Sequence, residues 1–181
     1  DIARVVLLDP VLVFELLLTS PLANADSSSL LDAVAARLVR IDAGLLQAWS
    51  LRHLIQQPQR KISTRAHRHH ALHSLFVAEL AMALAREMGY AQPEEAYSAG
   101  LMHDLGLLWL TEYGNDYPTV LADAIDERSL SAAEWEHYGF DHADLSSDLA
   151  TRCGLPPGIA DAIALHQAEP ESVVSAHPLV R

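Results

Sequence analysis

Apolar positions along this chain recur three and four residues apart, and no stretch alternates apolar with polar, so the pattern predicts helices and no strands. Asp9-Pro10 reads as an N-cap followed by a first-turn proline and opens a helix running to about residue 19. The serines at 27–29 can cap "LLDAVAARLVR", and Asp42 can cap "AGLLQAWSLRHLIQQ". Polar "QQPQRK" at 56–61 then interrupts the periodicity at Pro58, which predicts two units, an N-terminal helical lobe over 1–58 and a helical core over 59–181. The longest expected helix runs over 64–88 and is closed by Gly89. Its Leu72, Phe76, Leu80, Met82 and Leu84 form an apolar stripe, which predicts that this face meets the core and carries His73 with it.

Pro93-Glu94-Glu95 starts the next helix with an acidic first turn, and Gly106 is expected to break it. Further helices are expected at 118–128, 132–138, 142–153 and 157–168. Ser131 and Glu134 read as a capping box, and Gly154 follows the third of these helices. The expected class is all-α.

Composition agrees with this pattern. Half of the 181 residues are hydrophobic, and Ala and Leu dominate. The formal net charge is −12 and Lys61 is the sole lysine, a balance that disfavours nucleic acid and anionic membrane as general partners. Cys153 stands alone, so no internal disulfide forms and a reducing cytoplasm is expected. The most apolar stretch, "VVLLDPVLVFELLL", is interrupted by Asp9, Pro10 and Glu15, so no membrane span is expected. The chain opens on Asp1 without a basic leader and stops in mid-pattern at Arg181; we expect a piece of a longer protein.

One stretch does not fit a plain helical core. In "AGLMHDLGLLWL" an apolar segment places His103 and Asp104 side by side. A buried carboxylate beside a buried imidazole costs several kcal/mol unless something satisfies it. Either the two pair with each other and with backbone, or they hold a metal ion. An imidazole and a carboxylate suit a divalent transition ion, but further donors must come from elsewhere in the chain. His73 is the best third donor. His142, opening "DHADLSSDLA", and His166, closing "GIADAIALHQ", also lie beside apolar residues. Each alone reads as a hydrogen-bonded core histidine; four with a carboxylate are many titratable groups for one core.

His73, then His103-Asp104 in "GLMHDLG", then His142 and His166 resemble the pattern of the HD metal-dependent phosphohydrolase superfamily. The N-terminal half, "VLLDPVLVFELLLTSPL" followed by two more helices, is similar to the HD-related output domain, HDOD, of bacterial signalling proteins. The resemblance covers nearly the whole chain. It implies an HD-type helical core with an added N-terminal lobe, and a divalent ion held by His73, His103, Asp104, His142 and His166. It also implies a cytoplasmic signalling role, with other signalling domains or proteins as partners and a small phosphate-containing ligand. The chain departs from the pattern in three places. Gln167 stands where many relatives have a second histidine, no acidic residue follows Glu171 where a closing aspartate is expected, and no Gly-Tyr-Pro segment follows His166.

These departures favour a regulatory output module with little or no catalysis. The alternative is a metal-dependent phosphohydrolase or cyclic-nucleotide phosphodiesterase, in which the ion activates water for attack on phosphorus. Among the remaining residues, "HRHH" at 67–70 reads as a solvated helix start, with an extra ligand or phosphate contact as the other option. Arg60, Lys61, Arg65 and Arg68 are where an anionic ligand would be sought. Cys153 reads as packed at a helix end. Trp49, Trp109 and Trp135 read as core or lobe-interface anchors.

Overall fold

A computed structural model describes residues 30–40 and 64–169 throughout, together with 3, 6, 7, 9, 10, 12, 13, 16, 44, 173 and 175–180. Eight helices are defined among them: α1 (Leu30–Arg40), α2 (Thr64–Glu87), α3 (Pro93–Met102), α4 (Leu105–Tyr113), α5 (Tyr117–Asp123), α6 (Glu127–Tyr138), α7 (His142–Arg152) and α8 (Pro157–Ala164). No strand occurs among the described residues, and no helix there is long and apolar enough to cross a membrane. The boundary expected at Pro58, the helix expected after Asp42, Trp49, Arg60 and Lys61 lie outside the described residues.

The main core gathers where α3 gives way to α4. Leu101, Met102 and Leu105 are buried there against Leu149 and Ala150 of α7, Ile159 and Ile163 of α8, and Leu30 and Val34 of α1. A smaller cluster joins Leu110, Tyr117, Val120 and Leu130 across α4, α5 and α6. Gly89 and Gly154 stand at positive φ just after α2 and α7, as their places in the sequence predict.

Two contacts bring the site-bearing helices together. A Cβ on Gly100 would lie 2.8 Å from the Cα of Ala78, so α2 and α3 meet backbone to backbone. Such an approach requires small residues, and the face that α2 buries is accordingly Ser74, Ala78 and Ala85, with His70 one turn earlier. The expected apolar stripe is thereby corrected. Leu72, Phe76, Leu80 and Leu84 lie on the other side of α2, between 48% and 67% exposed. His70 departs from a solvated start, since its ring is buried with Nε2 3.4 Å from Ser74 Oγ, whereas His69 is exposed. Trp109 and Trp135 are exposed rather than anchoring a core. Cys153 does pack at a helix end, and burial pushes its thiol up to about 11.

Arg37 links α1 to the core. It is almost wholly buried and donates to the Cys153 carbonyl at 2.8 Å, at the C-terminal end of α7 where a cation is favoured. Arg37→Ala removes the bond and leaves a cavity, and should destabilise the protein by about 3 kcal/mol in urea unfolding. A loss below about 0.5 kcal/mol would show that this contact does not dock α1.

Candidate metal centre

Helix α3 stops at Met102, and the chain resumes as α4 at Leu105, so His103 and Asp104 form the bend between two helices. The break comes before the pair, not after it as expected from Gly106. Asp104, at φ −103° and ψ 17°, has left helical geometry, and this lets adjacent side chains converge where a continuous helix would splay them about 100° apart. Gly106 instead serves the approach of α7. A Cβ there would fall 2.2 Å from the His142 carbonyl oxygen. The Gly106 N–H donates to Ser146 Oγ at 2.7 Å, and that hydroxyl donates to the same carbonyl at 2.7 Å. His142 is therefore fixed against the first turn of α4.

The structure brings the four expected histidines together around the Asp104 carboxylate. Its Oδ2 lies 3.1 Å from His103 Nε2 and 3.6 Å from His73 Nε2. Its Oδ1 lies 3.7 Å from His166 Nε2 and 3.9 Å from His142 Nε2. Two groups that could hold a metal ion share this carboxylate: His73, His103 and Asp104, and Asp104, His142 and His166.

The remaining ring nitrogens are tied down in three of the four imidazoles. His103 Nδ1 bonds the Gly100 carbonyl at 2.8 Å, and His166 Nδ1 the Ile163 carbonyl at 2.7 Å. His142 Nδ1 bonds Glu134 Oε2 at 2.7 Å. A carbonyl or carboxylate on Nδ1 holds the proton there in a neutral ring and leaves Nε2 as the ligating atom, the usual support of a metal-bound histidine. The donor set fits an ion in size as well. His73 Nε2, His103 Nε2 and Asp104 Oδ2 form a triangle with edges of 3.1, 3.3 and 3.6 Å. Its centre lies about 1.9 Å from each corner, so an ion bonding at about 2.0–2.2 Å fits just off that plane.

Charge follows from the same geometry. Burial alone would raise the Asp104 carboxyl, but the His103 hydrogen bond and the surrounding imidazoles outweigh it and hold it well below the ordinary carboxylate range. Burial opposes the charged form of His103, yet Asp104 moves this ring's pKa upward on balance. His142 is likewise raised, because Glu134 outweighs its burial, whereas burial leads at His166 and moves it down.

Glu134 stands behind His142 and not in a helix cap. It was expected to close a capping box with Ser131, but α6 begins earlier, capped by Asp126, which accepts from the Ser129 N–H at 2.8 Å. Glu134 is fully buried and accepts from Tyr117 Oη at 2.5 Å, from the His142 N–H at 2.9 Å and from His142 Nδ1. Burial, and after it the hydrogen bond to Glu134, push the Tyr117 hydroxyl far up. The signal available in sequence was a glutamate eight residues before His142, which a local cap explained equally well.

The HDOD domain model matches residues 1–169. The chain belongs to the HDOD family. A crystal structure of the MmoQ response regulator from Methylococcus capsulatus str. Bath shares the fold of this HDOD domain, at a TM-score of 0.70 and 22% identity, over 92% of this chain and 67% of that one. A crystal structure of an HDOD domain protein of unknown function from Geobacter sulfurreducens is 31% identical over 59% of this chain and 35% of that one, at a TM-score of 0.48. No protein of curated function matches the sequence.

Proposed function

We propose that this HDOD domain is a bacterial signal-transduction output module whose histidine–aspartate pocket holds a divalent metal ion and turns over little or no substrate. The observation that carries the metal part is the orientation of the imidazoles, three of them pinned at Nδ1 with Nε2 turned toward Asp104. His73, His103 and Asp104 would hold the ion, with His142 and His166 beside them. A bound divalent ion supplies Lewis acidity.

Phosphoryl transfer needs fixed positive charge where the transferring group sits. The arginines of known engagement are used elsewhere: Arg37 on the Cys153 carbonyl, Arg86 with Glu94, Arg128 with Glu169 and Arg152 with Asp148. Arg65 and Arg68 are exposed on α2 upstream of His73. The loss of one stabilising group of this type costs about 10²–10³ in rate, so turnover near background is expected. The fold shared with a response regulator supports a role in which binding in the pocket is passed to other signalling domains or proteins, in the cytoplasm, with a small phosphate-containing ligand as its natural occupant.

The test is metal analysis of untagged protein, followed by incubation of the metal-replete domain with cyclic dinucleotides, nucleotides and generic phosphodiesters. We expect bound metal and no steady turnover. Steady turnover abolished by His103→Ala would replace the regulatory reading with that of a phosphohydrolase.

A further inference from the structure

We propose that Gln167 holds this pocket to a single ion, by occupying the Nε2 of His142 and keeping that imidazole out of a second coordination shell. The inference rests on the metal-binding reading above and assigns to one side chain the number of ions bound.

The two candidate groups look alike in composition, since each takes one oxygen of Asp104 and two imidazoles. They differ in what already satisfies their nitrogens. Glu134 accepts from Tyr117 Oη, from the His142 backbone N–H and from the His142 ring, so it acts as an acceptor throughout and His142 carries its proton on Nδ1. The lone pair of the neutral ring is then on Nε2. Gln167 Nε2 lies 2.7 Å from it, and an amide N–H donated there uses that lone pair up. A metal ion would need the same lone pair.

Among the described residues no side-chain amide competes in this way at His73 and His103, whose Nε2 atoms stand 3.3 Å apart, near enough to share one ion. The distances agree with this asymmetry. Asp104 stands 3.1 and 3.6 Å from the two nitrogens of the first group, and 3.7 and 3.9 Å from those of the second. Breaking the hydrogen bond from Gln167 and drawing His142 inward would have to precede a second ion, and His142 is held in place by Glu134 and by the contact of Gly106 with its carbonyl. Gln167 thus does more than fail to be a ligand.

The experiment titrates zinc alone into metal-free wild type, Gln167→Ala and Gln167→Leu, with stoichiometry read by calorimetry and elemental analysis. Side-chain nitrogen NMR follows His142 Nε2 in parallel, and far-UV circular dichroism checks that each variant is folded. We expect one zinc per chain in wild type with the His142 Nε2 resonance unmoved. At least one variant should bind a second, weaker zinc that shifts this resonance. Two ions in wild type, or a wild-type His142 Nε2 that moves with the first zinc, would overturn the role of Gln167 and leave the metal reading standing. One ion in both folded variants, with His142 unmoved, would overturn it equally. No zinc in wild type would overturn the metal reading, and this proposal with it.

Discussion

Gly106→Ala is expected to be among the most damaging single-atom changes in this protein. The new Cβ would sit 2.2 Å from the carbonyl oxygen of His142, where about 3.2 Å is the closest comfortable approach, so α4 and α7 would have to part by roughly 1 Å. No rotamer change relieves this, because the opposing atom is backbone. Separation would also stretch the hydrogen bond from the Gly106 N–H to Ser146 Oγ and loosen the packing of Leu105 against Leu149. Overpacking typically costs about 1–3 kcal/mol and more against rigid backbone, while alanine returns up to about 1 kcal/mol of helix propensity. A net loss of about 3 kcal/mol corresponds to a fall in Tm of roughly 6–12 °C for a chain of this size. Because His142 moves with its carbonyl, the Nε2 facing Asp104 should be displaced too, and the His142 ring resonances should shift in the folded variant. A Tm within about 1 °C of wild type would mean that the helices are not in contact at this point.

The second large effect is expected from Asp104→Ala. Among the described residues this carboxylate is the one that lies within 3.9 Å of all four clustered imidazoles, and it supplies the anionic oxygen of both candidate groups. Loss of a partner behind a metal ligand already costs about 10–100-fold in affinity, so loss of the ligand itself should weaken zinc binding by at least about 10²-fold. Competition against a chelator of known strength would measure this. Unchanged affinity would remove Asp104 from the site. In the wild type, affinity should also fall on acidification. His103 must give up the proton on Nε2 before it can ligate, and Asp104 holds that proton by moving the ring's pKa upward, so ion binding releases it. The metal-free protein runs the other way. The Asp104–His103 pair stabilises the fold while the ring is charged, and this contribution is lost as pH rises through the raised His103 pKa.

Much of the architecture was legible because helix punctuation is local chemistry. Pro93 with its acidic first turn, and the positive-φ glycines at 89 and 154, mark boundaries that hold in the structure. Between 116 and 138 the helices differ from those expected at 118–128 and 132–138, since α5 ends at Asp123 and α6 begins at Glu127. Asp126 with Ser129 and Ser131 with Glu134 are both plausible caps, and choosing between them depends on where Glu134 is needed in space. Tyr117 gave no sign in sequence of its contact with Glu134, seventeen residues away.

Helix α2 separates the two kinds of information most clearly. Its periodicity correctly placed Leu72, Phe76, Leu80 and Leu84 on one face, but a period cannot say which face is buried. That was decided by Gly100, whose missing side chain draws α3 onto Ser74 and Ala78 and leaves the leucines outside. The sequence by itself determined the helical class, the family, and the four histidines and one aspartate to look for, because residue types and spacings encode those directly. Tertiary structure alone decided that the helix breaks at His103 and Asp104 and not after them, that Glu134 stands behind His142, and that Gln167 takes the nitrogen an ion would need. The last two depend on contacts of 2.7 Å between residues eight and twenty-five apart in the chain, and no local pattern of side chains carries such a distance.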